Sequence, residues 1–113
     1  METMLLGRTP KAGDIIIARV QFVGGEGFKI RPALVLFEEM GNVVIAGITT
    51  NMQMKGIRLS VHEGAAQESI IKLNYIFTIT NEAILKTLFH LGVKKKRLVF
   101  EELTKKLERL KAQ

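Results

Sequence analysis

The sequence predicts a mainly β fold completed by one C-terminal α-helix, a small barrel or sandwich in a single domain spanning residues 1–113. Three observations predict it. Short apolar runs recur between Ile15 and Ile79, clusters of Gly, Asn, Asp and Glu separate them, and only beyond Lys94 does the pattern change to a helical period. Strands this short and this closely spaced argue for a barrel or sandwich rather than a βαβ sheet.

Residues 1–12 read as a loose tail or extra edge segment ending near the Thr9-Pro10 turn, after which Gly13-Asp14 opens an apolar run from Ile15 to Phe22. Ala18, Val20 and Phe22 alternate there with Arg19 and Gln21, as in a strand with one wet face. Gly24-Gly25-Glu26-Gly27 then interrupts the chain, a composition suited to a hairpin loop. Pro32 to Phe37 is continuously apolar, so that strand is expected to be covered on both faces. Glu38 to Asn42 makes a turn, Val43 to Ile48 is a third strand ending in Thr49-Thr50-Asn51, and Ile57, Leu59 and Val61 alternate with Arg58, Ser60 and His62 in a fourth. After the turn-rich stretch Glu63 to Glu68 come two short strand candidates, Ile70 to Leu73 and Tyr75 to Ile79. Thr80 is placed to cap one or two helical turns over Asn81 to Leu85, with Thr87 to His90 returning to the sheet. In the helix expected over residues 94–111, Val99, Leu103, Leu107 and Leu110 share one stripe, and Glu101→Lys105 and Glu102→Lys106 are spaced as i,i+4 pairs.

At this length one domain buries roughly two-thirds of the surface its unfolded chain exposes, so a second core is not expected. The chain has no cysteine, which excludes a disulfide framework and thiolate metal sites and favours a reducing, cytoplasmic setting. Met1 to Leu6 is too short for a signal-peptide core, and no apolar run approaches the roughly 20 residues that span a bilayer, so no membrane partner is expected. A net charge of +6 and a pI near 9.8 favour polyanionic partners. Most of the clustered charge lies in Lys94 to Arg97 and from Lys105 to Lys111, where a solvated helix face is the plain alternative.

The glycines around Glu26 lack the Gly-x-x-x-x-Gly-Lys-Ser/Thr spacing of a phosphate loop, and no helix follows them. His62 and His90 lack ligand-like spacing and read as ordinary strand residues. More informative is Arg31-Pro32-Ala33-Leu34-Val35-Leu36, which puts a permanently charged guanidinium at the mouth of a buried strand, directly behind a glycine loop. Such a charge either faces a cleft or pairs with Glu26, Glu38 or a carbonyl, and the residues alone leave both readings open.

Three segments in order carry a resemblance: Gly13-Asp14-Ile15, then Glu26 with Arg31-Pro32-Ala33-Leu34-Val35, then Ala46-Gly47-Ile48-Thr49. Together they resemble the MazF/PemK family of toxin ribonucleases, and the likeness continues more loosely through Ser69 to Leu73 and Ile76 to Ile79. The resemblance implies a small SH3-like barrel of the MazF/PemK/CcdB type with a C-terminal helix, paired as a homodimer. It further implies metal-independent cleavage of single-stranded RNA with no cofactor, and inhibition by an acidic antitoxin. Arg31 and Thr49 then take the family's catalytic positions, and Glu26 its acidic loop position. Candidate RNA contacts are Phe28, Lys29, Thr50, Asn51 and Tyr75. The chain departs from the family at Gly47, where proline is common, and at Tyr75 and Phe77, where many members carry Gln and Arg. Two alternatives remain open here: a toxin of the same fold that binds a protein such as gyrase without catalysis, and a basic single-strand-binding module stacking bases on Phe28, Tyr75 or Phe77.

Overall fold

The computed structural model describes residues 9–21 and 27–112; Glu26 and most of the expected N-terminal tail lie outside them. Strands β1 (Asp14–Gln21), β2 (Phe28–Glu39), β3 (Asn42–Thr49), β4 (Ile57–Leu59), β5 (Ser69–Thr80) and β6 (Ile84–His90) form one antiparallel sheet, and helix α1 (Val93–Leu107) follows. The strand order is β4-β5-β3-β2-β1-β6. The sheet curls into a half-barrel, mainly β with one C-terminal helix, as expected. Register shifts interrupt the β1–β6, β2–β3 and β3–β5 ladders, and an extra residue on one strand bends it and raises its twist.

Both faces of the sheet are covered, which explains why its central strands read as unbroken apolar runs. On one face Ile15, Leu34, Ala46, Ile48, Ile71 and Leu73 pack with Leu59, Leu91 and Val99. On the other, Ile16, Ala18, Val20, Ala33, Val35, Val43 and Ile45 gather under Phe77, Ile79 and Ile84. Adjacent residues such as Ile15 and Ile16, or Ala33 and Leu34, enter opposite clusters because side chains alternate along a strand.

Several expectations need correction. The two short strands expected over Ile70 to Ile79 are one strand, β5, carrying a break in register. β4 stops at Leu59, and His62 lies in a 3-10 turn over Val61–Glu63 rather than in a strand. Only Asn81–Ala83 is helical before β6, which begins at Ile84, three residues earlier than expected. The stripe of α1 docks through Val99 and Leu103, while Leu107 and Leu110 remain exposed. Beyond Leu107 the last turn tightens to a 3-10 segment, Glu108–Leu110. On its surface Lys105 pairs with Glu102 at 3.4 Å, an i,i+3 rather than an i,i+4 spacing. None of its length makes a membrane span: among the described residues no helix is long and apolar enough to cross a bilayer.

Two lysines from the basic run fasten α1. Lys96 Nζ lies 2.9 Å from His90 Nε2, and His90 Nδ1 lies 2.9 Å from the carboxylate of buried Asp14. A carboxylate only accepts, so Nδ1–H donates to Asp14 and Nε2 accepts from Lys96. Gly13 sits beneath this chain of bonds with φ +101°, and a Cβ there would come within 2.6 Å of Lys96 Cδ and 2.9 Å of His90 Cε1. Both its backbone conformation and its surroundings therefore require glycine.

Lys95 Nζ donates to the Arg58 carbonyl at 2.7 Å and reaches Glu63 Oε2 at 3.4 Å. Burial pushes the Glu63 carboxyl up, but hydrogen bonds from Ser60 N and Oγ, with Lys95 beside it, outweigh that effect and hold it below its ordinary value. A depressed native value contributes stability above the unfolded-state pKa, and that contribution is lost as pH falls through the native one. We therefore expect Glu63→Gln to cost about 1 kcal/mol or less at neutral pH. The difference from wild type should vanish once acid has protonated Glu63, as thermal denaturation at the two pH values will show.

Candidate active site

The site begins where β3 ends. Thr49 Oγ1 accepts the Asn51 N–H at 3.1 Å, Asn51 Oδ1 accepts the Gln53 N–H at 3.0 Å, and the Met54 N–H reaches the Asn51 carbonyl at 3.1 Å. These bonds fold the chain after β3 into tight successive turns, the local role that Thr and Asn side chains commonly take. With one lone pair of Thr49 held by Asn51 N–H, its own hydroxyl hydrogen is free to donate elsewhere.

Across the sheet, β5 breaks register opposite the same place. Ala46 pairs with Ile76 while its neighbour Gly47 pairs with Lys72, so Leu73, Asn74 and Tyr75 have no residue opposite them. Leu73 turns into the core, and Tyr75 leans over Gly47, whose absent Cβ would stand 3.5 Å from Tyr75 Cβ. Bulges of this kind re-aim side chains beside functional sites.

The result is a hollow of about 180 Å³ lined by Arg31, Thr49, Lys72 and Tyr75, with Pro32, Gly47 and Phe77 among its apolar walls. Arg31 comes from the early part of β2, opposite Ala18 of β1, and Thr49 from the last position of β3. Arg31, Thr49 and Tyr75, far apart in sequence, thus share one concavity. A second hollow of about 360 Å³ adjoins it through Val20 and Phe77 and is lined by Phe28, Arg19 and Thr80 among others. Of the other candidates, Phe28 lines this second space, Lys29, Thr50 and Asn51 are exposed and line neither, and Glu26 lies outside the described residues. Glu38, considered as a partner for Arg31, accepts the Gly41 N–H at 2.9 Å. Among the described residues no group of three or more His, Asp or Glu is placed to hold a metal ion.

The residue that sequence reasoning missed is Lys72. It is 7% exposed, its Nζ donates to the Lys55 carbonyl at 2.8 Å, and it stands 5.1 Å from the centroid of the Tyr75 ring. Its signal was present as a lone cation inside the apolar run Ile70-Ile71-Lys72-Leu73.

A family model described as a PemK-like, MazF-like toxin of type II toxin-antitoxin systems matches residues 11–110. No curated protein matches the chain. Among solved structures, the Mycobacterium tuberculosis toxin MazF-mt6 superposes with a TM-score of 0.69 at 22% identity, over 84% of this chain and 96% of that one. A MazE-MazF structure from Deinococcus radiodurans gives 0.71 at 18% identity, over 89% and 97%. An endoribonuclease in complex with its cognate antitoxin, from a mycobacterial species, gives 0.65 at 14% identity, over 87% and 92%. At these identities the likenesses establish the fold.

The loop that lends its carbonyl to Lys72 is pinned at Gly56, where a Cβ would overlap the Ile71 carbonyl oxygen and the Ile70 side chain. Gly56→Ala is expected to destabilise the protein by about 1–3 kcal/mol, the scale of local overpacking. Thermal denaturation measures that cost, and an unchanged midpoint would show that the loop yields freely.

Proposed function

We infer this chain's activity from its membership: it belongs to the PemK-like, MazF-like toxin family of type II toxin–antitoxin systems. The function proposed is metal-independent endonucleolytic cleavage of single-stranded RNA by the RNA's own 2′-oxygen, in the cytoplasm. The observation that carries it is the shared hollow, where a guanidinium from β2 and a hydroxyl from β3 line one space.

In that reaction the 2′-oxygen attacks the neighbouring phosphorus in line with the departing 5′-oxygen, a geometry that a stacked A-form duplex resists. Negative charge grows on the non-bridging oxygens as the phosphorane forms. Donors already fixed in place stabilise that charge more than the ground state, because they need not reorganise when it appears. Arg31 supplies the charged donor. Thr49 supplies the neutral one, its hydroxyl oriented by the Asn51 N–H. A guanidinium stays protonated at physiological pH and so cannot take the 2′-proton; that role is proposed for Glu26. Phe28 in the adjoining hollow with its neighbour Lys29, and Thr50 and Asn51 directly after Thr49, are proposed to extend contact along the strand.

Partners follow from the same membership. One structural neighbour is described as an endoribonuclease in complex with its cognate antitoxin and another as MazE-MazF, and an acidic, partly disordered antitoxin segment would compete with RNA for a cationic hollow. A homodimer is also proposed, supported by exposed apolar residues such as Ile76, Leu85 and Leu88.

Incubation with a defined single-stranded RNA, followed by mapping of both new ends, tests the reading directly. Cleavage should persist in EDTA and leave a cyclic phosphate on the upstream fragment; a strict magnesium requirement would refute the mechanism. Arg31→Ala and Thr49→Ala should each slow cleavage by about a hundredfold or more, the scale of losing one oxyanion donor. Wild-type rates in both would remove these residues from the reaction.

A further inference from the structure

Lys72 has an unusual environment for a lysine. Burying an ammonium is costly unless an anion or several acceptors replace its water. Here the partners are one peptide carbonyl, at 2.8 Å, and the face of one tyrosine ring, both uncharged. Among the described residues no carboxylate pairs with it. An ammonium has three N–H donors, and these contacts do not exhaust them. The charge is therefore uncompensated from within the described chain, and it lies in the wall of the hollow that also holds Arg31 and Thr49.

Tyr75 complements it. The bulge over Leu73, Asn74 and Tyr75 brings Tyr75 beside Gly47 at the hollow, and the residue stays 44% exposed. A cation within about 6 Å of an aromatic centroid is attracted by its electron-rich face and helps hold the ring in place.

We propose that Lys72 and Tyr75 form a seat for one nucleotide of a single strand: an unstacked base lies on the Tyr75 ring, and a phosphate of the same strand compensates the Lys72 ammonium. This rests on the reading of the hollow as an RNA site and adds to it a substrate-binding cation and a base platform. Stacking of this kind tolerates any base, because every base has a π-face. Lys72 is a binding residue here and takes no proton in the reaction.

The chain contains one tyrosine and no tryptophan, so its intrinsic emission reports on Tyr75 alone. Titration with a random-sequence, single-stranded 2′-O-methyl RNA, which cannot be cleaved by 2′-oxygen attack, should quench that emission, whereas a 2′-O-methyl duplex should not. Lys72→Met keeps the unbranched stem as far as Cε and removes the charged Nζ. It should weaken binding about tenfold, the scale of losing a charged hydrogen bond. It should also reduce the slope of log affinity against log salt by about 0.7, the value for one phosphate contact on a single strand. Lys72→Arg should restore the slope. A merely structural lysine, fastening the Lys55 loop, would leave the slope unchanged, and that result overturns the proposal. So does a wild-type protein whose emission no single strand alters, which decides the matter even if the Met variant does not fold. A protein that quenches and binds as described but leaves ordinary RNA intact would overturn the cleavage reading and leave the seat standing.

Discussion

The site depends on one break in register. Where Gly47 of β3 meets β5, the partner strand advances from Lys72 to Ile76 across a single step. A regular ladder would place consecutive residues of β5 on alternate faces, and Lys72 and Tyr75 would then point to opposite sides of the sheet. The looped-out residues remove that constraint and bring both side chains to the same hollow. Tyr75 packs beside Gly47 at the step, where a Cβ on the glycine would stand 3.5 Å from Tyr75 Cβ, an ordinary contact. The donors at Arg31 and Thr49 are held on the far side by uninterrupted pairing with Ala18 and Ile70. Regular strands on one wall and an irregular one on the other produce a concavity that an unbroken sheet would lack.

A second constraint fixes the scaffold behind it. Asp14, His90 and Lys96 join the first strand, the last strand and the helix through two hydrogen bonds, each 2.9 Å long. Gly13 makes room for that joint, and its N–H and C=O pair with Val35 and Leu91. The Gly13-Asp14-Ile15 segment, one of three that carry the family likeness, is thus explained by architecture: glycine for a left-handed backbone under close contact, a carboxylate for the histidine, and an isoleucine for the core. A sequence motif can mark a joint as well as a reacting group, and the first of the ordered segments marks a joint.

Much of the fold was legible because its cause is local. Period-2 alternation, turn residues and the late change to a helical period each reflect the backbone's own geometry, and they located all the strands and the helix to within a few residues. The misjudged elements depend on tertiary partners. Nothing near Leu73 announces that β5 continues through a bulge, since the register is set by its pairing with another strand, β3. The stripe on α1 runs on to Leu110, but the sheet beneath it ends sooner, so the last turns have nothing to cover them. Of the residues lining the candidate hollow, Arg31 and Thr49 were singled out in the sequence through the ordered segments. Lys72 was overlooked because a lysine in an apolar run is ordinarily read as the wet side of a strand, and only long-range pairing shows that its ammonium is enclosed.

The same distinction settles what the basic composition means. Lys94 to Arg97 is the densest run of positive charge in the chain and, read from composition, the obvious place for a polyanion. Yet Lys95 is committed to the Arg58 carbonyl and Glu63, and Lys96 to His90. Drawing either away would undo the docking of the helix, so only Lys94 and Arg97 remain as exposed charges from that run. The hollow holds fewer cations, but its low-dielectric walls of Pro32, Ile45 and Phe77 keep their field from being screened by water. On the proposed reading the functional weight of the +6 falls on Arg31 and Lys72, while Lys95 and Lys96 of the C-terminal run hold the helix to the sheet.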